Sequence, residues 1–125
     1  MNREELMFVK PISDAEMDDL ITHRLGLIKS TLLVKAKEYA RNGDRLHNFN
    51  KGSKQYEKPR EQVIYDFMQK HLISFDDMMN DLNGGDIKSI FMWEEKIGDI
   101  INYMVLLEAS LKHRLLCQLE EATQN

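Results

Sequence analysis

The chain has one cysteine, two prolines and no long apolar run in 125 residues. A lone Cys117 cannot form an internal disulfide, so a disulfide-stapled scaffold is excluded and a reducing, cytoplasmic setting is expected. The two prolines, Pro11 and Pro59, each sit at the approach to a predicted helix, so neither interrupts one. No stretch approaches the ~20 apolar residues that a membrane span needs. The opening MNREELMFVKPIS carries acids and no sustained apolar centre, and does not read as a secretory signal. Internal repeats, low-complexity tracts, zinc-like Cys/His spacing, a phosphate-binding glycine loop and a nucleophile elbow are all missing. A net charge of −4 argues against a generic nucleic-acid coat, although a small basic pocket is compatible with it. What is present is 42% hydrophobic and 30% charged residues, the balance of a soluble globular chain with one domain large enough for a core.

Residues 1–12 contribute Leu6, Phe8, Val9 and Ile12 ahead of any helix start, and read as an arm that packs on a neighbour or a partner. Ser13-Asp14-Ala15-Glu16 has the spacing of a capping box and predicts a helix from Ser13 to about Arg41, stopped by Asn42-Gly43. Its apolar residues, from Met17 to Val34, are too many for one narrow face. Arg24, Thr31, Lys35 and Glu38 fall on one polar line, either a solvated edge or the wall of a cleft. Asp44–Lys58 shows no clear period and is expected to be an ordered connecting loop in which His47 and Asn48 either act or satisfy the local backbone. Pro59 then starts a second long helix, which Asn83-Gly84-Gly85 ends. Ile64, Phe67, Met68, Leu72, Phe75, Met78, Met79 and Leu82 give it an apolar line, with His71 in the middle as a hydrogen-bonded core residue or a ligand group. Asp77 and Asp81 lie beside that line at i, i+4, a spacing at which two carboxylates can share a divalent ion.

The last helix, capped by Asp86 or Ser89 and running to about Glu121, organises the rest. Trp93, Ile97, Ile100, Ile101, Met104, Leu107, Leu111 and Leu115 make a broad apolar stripe, which predicts burial from more than one direction. Roughly opposite, Glu95, Asp99 and Asn102 stack at i, i+4 and i+7, facing water or a cleft between helices. Buried carboxylates need a cation, a metal or hydrogen-bond donors. Gly98, inside the helix, costs up to ~1 kcal/mol against alanine and predicts a close approach beside Asp99.

The fold expected is therefore all-α: an arm over 1–12 and a single helical domain over 13–121, with three long helices that complete their bundle by dimerisation. In that bundle Asp77 and Asp81 from the middle helix and Glu95 and Asp99 from the last could converge on magnesium. The metal would hold a nucleoside triphosphate and polarise a water for attack on phosphorus, with Lys35, Lys37 or Arg24 offsetting the phosphate charge.

The KAKEY segment (Lys35 to Tyr39) and the EKIGDIINY segment (Glu95 to Tyr103), with the order of the helices, resemble the all-α nucleoside triphosphate pyrophosphohydrolase superfamily. Within it the likeness is to small phage-encoded MazG-like proteins and the nucleotide-modification-associated domain, and it spans about Ser13 to Leu116. The resemblance implies acids on two adjacent helices that bind magnesium: Asp77 and Asp81 for the first motif, Glu95 and Asp99 for the second. Glu95 and Asp99 would carry catalysis, Asn102 would contact the ligand or orient Asp99, and Lys35, Glu38 and His71 would line the ligand site. The first motif departs from the superfamily, with Asp76-Asp77-Met78-Met79-Asn80 in place of two adjacent glutamates and a third. In the second, Lys96 stands where the acid is expected and Glu95 lies four residues before Asp99.

Two functions follow as expectations. One is a magnesium-dependent nucleoside triphosphate pyrophosphohydrolase, or a nucleotide-binding relative, serving phage nucleotide metabolism in the host cytoplasm. The other is a non-catalytic phage helical protein that sequesters a nucleotide signal or binds and inhibits a host defence protein. Four converging acids favour catalysis; one or two favour binding or a mere scaffold.

Overall fold

The computed structural model describes residues 1–124, apart from the side chain of Tyr39. Asn2 caps a short helix α1 (Arg3–Met7) through its own capping box with Glu5. The Met1 ammonium donates to the Gly85 carbonyl at 3.1 Å, which ties the start of the chain to a distant turn. Residues 8–12 run on without a helix, and Phe8 and Val9 are among the most exposed apolar residues of the chain.

Ser13 begins α2 (Asp14–Ile28) as its spacing predicts: its hydroxyl accepts from the Glu16 amide at 3.1 Å, and the Glu16 carboxylate accepts from the Ser13 amide at 3.4 Å. The helical path continues to Tyr39, but not as one α-helix. Lys29–Val34 widens into a π-turn and Lys35–Tyr39 tightens into a 3₁₀ turn. Arg45 donates to the Leu32 carbonyl inside the widened stretch. Asn42 and Gly43 do adopt positive φ, 54° and 75°, yet they form a tight turn between Arg41 and Asp44 rather than a helix cap.

The expected connecting loop is a helix, α3 (His47–Tyr56). Asp44 starts it by accepting from the Leu46 amide at 2.9 Å and from Asn50 Nδ2 at 2.6 Å. Packing supplies the rest: Phe49 meets Phe67 and Tyr103 with ring centroids 5.8 Å and 6.5 Å away, and Gly52 lies against Val63. A left-handed Glu57 ends the helix.

Pro59 precedes α4 (Arg60–Asn83), and the Gly84 and Asp86 amides close its end on the carbonyls of Asn80 and Asp81. Ser89 Oγ accepts from the Met92 amide at 3.3 Å and starts α5 (Ile90–Gln124). α4 and α5 run antiparallel and form the main contact, with Arg60 beside Ser110, His71 beside Asp99 and Phe75 edge-on to Trp93. α2 lies along another side of α5 in the same direction, since Arg24 meets Glu94 while Leu32 and Leu33 share a cavity with Val105 and Leu106.

The described residues contain helices and no β-strand, so the chain is all-α. No helix is long and apolar enough to cross a membrane. Among the described residues the buried apolar side chains are few: Leu32, Val63, Ile64, Met68 and Met78. Of the two settings expected for the polar strip of α5, the cleft is the one observed, and on the apolar stripe Trp93 packs on Phe75 while Ile100, Ile101 and Leu107 are half-buried. The polar strip turns toward α2 and α4, whereas Ile97, Met104, Leu111 and Leu115 of the apolar stripe lie exposed.

Candidate functional site

α2 and α5 enclose a cleft of about 200 Å³ lined by Arg24, Leu27, Ile28 and Thr31 on one side and by Phe91, Glu94, Glu95, Gly98, Asp99 and Asn102 on the other. The absence of a side chain at Gly98 leaves room for the end of Arg24 against α5. A Cβ at that position would stand 2.8 Å from Arg24 Nη1 and 4.0 Å from its Cζ, so the guanidinium points one nitrogen at the bare backbone. Its other nitrogen donates to the Glu94 carbonyl at 3.1 Å. His23 reaches the Glu94 carboxylate at 3.1 Å, closing the outer rim.

Three of the predicted site residues come together in this cleft: Glu95, Asp99 and Asn102, one helical line on α5. His71 joins them from α4. Its Nδ1 stands 3.4 Å from Asp99 Oδ2, close enough for an ion pair, but it makes no aligned hydrogen bond. The His71 ring packs on Tyr103 at 5.2 Å between centroids. Burial, and then the nearby Asp99 charge, push the Tyr103 hydroxyl above its ordinary pKa, so it stays a neutral wall at physiological pH. Asn102 Oδ1 is buried without a hydrogen-bond partner, an acceptor that still needs a donor or a cation.

The other predicted residues lie elsewhere. Lys35 and Glu38 follow the π-turn onto the 3₁₀ stretch, where both are exposed and neither lines the cleft. Asp77 and Asp81 are exposed on α4, and Asp81 pairs with Lys88 at 3.4 Å. Among the described residues no group of three or more His, Cys, Asp or Glu side chains is set to hold a metal. One chain therefore brings two of the four expected acids to the cleft.

The donor set still fits magnesium in one of its usual modes. Glu95, Asp99, Asn102 Oδ1 and the Thr31 hydroxyl are all hard oxygen donors, and magnesium is commonly held by one or two carboxylates, with waters and substrate phosphates completing its shell. Arg24 adds the fixed positive charge that a phosphate oxygen takes.

Sequence reasoning placed Arg24 and Thr31 on the correct polar line but did not find Glu94, His23 or Phe91. The adjacent acids Glu94-Glu95 were the available signal: on a helix, neighbours about 100° apart can both border a groove that a parallel helix makes.

No family model matches the chain, and no curated protein or solved structure matches it either.

Proposed function

We propose that this chain is a nucleotide-binding helical protein that takes a magnesium-bound nucleoside triphosphate at the α2/α5 cleft without hydrolysing it. The observation that carries the reading is the cleft's make-up: Glu95, Asp99 and an unpartnered buried amide oxygen share it with one arginine, the third acid, Glu94, being taken by His23, while Asp77 and Asp81 stand outside. Glu95 and Asp99 would hold the metal, Arg24 a phosphate oxygen, and Asn102 Oδ1 a donor on the ligand. About 200 Å³ suits a metal–polyphosphate group rather than a whole nucleotide. Phe91, 77% exposed at the cleft mouth, offers a face on which a base can stack outside it. The likeness of the KAKEY and EKIGDIINY segments to MazG-like phage proteins supports a nucleotide as the ligand. A bundle completed by a second copy is part of this reading, because α2 has no buried residue of its own.

Calorimetric titration with a panel of nucleoside triphosphates, with magnesium and with a chelator, tests it alongside a pyrophosphate-release assay. The expected result is magnesium-dependent binding, weakened at least ~10-fold by Arg24→Ala, with no pyrophosphate formed. Binding of none of the triphosphates would end the nucleotide reading. Pyrophosphate release that Asp99→Asn abolishes would replace it with the pyrophosphohydrolase.

A further inference from the structure

We propose that the α2 and α5 faces turned away from α4 form one continuous interface, and that a second copy of this chain covers it with the same two helices. This rests on the homodimeric part of the reading above and not on its nucleotide part, so its failure leaves the cleft untouched.

The first observation is area. A folded monomer of 14.7 kDa is expected to expose about 6,900 Å². This chain exposes 9938 Å². The excess of roughly 3,000 Å² is at least what each partner of an obligate homodimer commonly buries, about 1,000–2,500 Å².

The second is phase. On α5, Asp99, Tyr103 and Ser110 face α4, and Glu95, Gly98 and Asn102 face α2. At ~100° per residue, Ile97, Ile101, Met104, Leu111 and Leu115 lie on the remaining side, roughly 130° round the helix from the α4 contact. All but Ile97 border a shallow apolar groove of about 490 Å³ whose charged residues are Glu108 and Lys112, and these neutralise each other at 2.8 Å. On α2 Arg24, Leu27 and Ile28 line the cleft with α5, and Thr31 in the π-turn continues that line. Because the two helices run in the same direction, Ile21 and Leu25 then project to the same side as the α5 stripe. All but Ile101 of these apolar residues are exposed in the single chain. Two parallel helices with aligned apolar faces and a self-neutralised charge pair suit an identical pair related by a two-fold axis, giving a four-helix layer with α4 outside.

Light scattering on the eluting wild-type chain should give twice the 14.7 kDa chain mass. Leu25→Glu and Leu111→Glu, one on each helix of the face, should each halve it, while Ile73→Glu on exposed α4 should leave it unchanged. A monomeric wild type at tens of micromolar overturns the proposal, as does a dimer that both face variants leave intact. Should those variants lose helical circular dichroism, wild-type methionine oxidation decides. In the single chain Met104 is 51% exposed and Met79 on α4 is 36% exposed, so Met104 would react faster. A covered face reverses that order; an unreversed order rejects it.

Discussion

Asp99 Oδ2 stands 3.4 Å from His71 Nδ1 while the same aspartate lines the cleft under Arg24, so one carboxylate joins the α4 contact to the α2 contact. Both side chains are partly open, which limits what the pair gives to stability to the range of exposed ion pairs, under about 1 kcal/mol. Asp99→Asn should therefore shift chemical denaturation by less than that amount while weakening magnesium-dependent nucleotide binding ~10-fold or more. A variant that loses stability and binding in proportion would make Asp99 a structural residue instead.

The two buried glycines make opposite predictions. At Gly98 the atom an added methyl would meet is the end of the flexible Arg24 side chain, which can swing away at little cost. Alanine also gains up to ~1 kcal/mol of helix propensity. Gly98→Ala should thus be neutral or slightly stabilising in urea denaturation, yet it should weaken ligand binding by displacing Arg24. At Gly52 the added methyl would stand 3.0 Å from Val63 Cγ1, a side chain 2% exposed and branched at Cβ, with one preferred rotamer in a helix. Overpacking of that kind costs about 1–3 kcal/mol, more than the propensity gain, so Gly52→Ala should destabilise.

Capping chemistry was the most legible part of the chain. Ser13 with Glu16, Pro59 and Asn83-Gly84-Gly85 fixed helix ends through local hydrogen bonds that the residue types alone specify. α3 escaped notice because its inward residues are Phe49 and Gly52, and a glycine does not register as part of an apolar face even where it is the closest contact. The π-turn at Lys29–Val34 has no local signature either, since Lys-Ser-Thr-Leu-Leu-Val is compatible with an ordinary helix, and the Arg45 bond to Leu32 comes from a later segment. On α5 the spacing was correct, but whether the polar strip met water or a cleft stayed open. The cleft exists because Arg24 reaches across from α2 to the Glu94 carbonyl and His71 stands beside Asp99 from α4, circumstances that periodicity in one helix cannot encode.

Ser110 is the buried polar centre of a second network between α4 and α5. Arg60 Nε donates to its hydroxyl at 2.6 Å and Arg60 Nη2 to its carbonyl at 3.2 Å, while the hydroxyl itself donates to Glu61. Removing the hydroxyl deprives a charged donor and a charged acceptor at once, in a place with no solvent to replace it. Ser110→Ala should lower unfolding free energy by about 1–3 kcal/mol. Ser110→Thr keeps the hydroxyl and isolates that contribution from the cost of the added methyl.

Glu61 carries the acid sensitivity of that network. Burial alone raises its pKa, but the Ser110 hydrogen bond, the Arg114 hydrogen bond at 2.7 Å and the Arg114 charge outweigh it, leaving the carboxyl below 4.5. A group whose folded-state pKa is lowered stabilises fully above its unfolded-state value, and that contribution fades as pH falls through the folded-state value. Glu61→Gln should therefore cost about 2 kcal/mol at pH 7, where the ionised acceptor is lost. Below about pH 4.5 the gap between variant and wild type should narrow, as the wild-type carboxyl takes up its own proton. Thermal melts from pH 7 to pH 3 measure both quantities. A gap that stays constant over that range would show that the side chain contributes through packing, not through its charge.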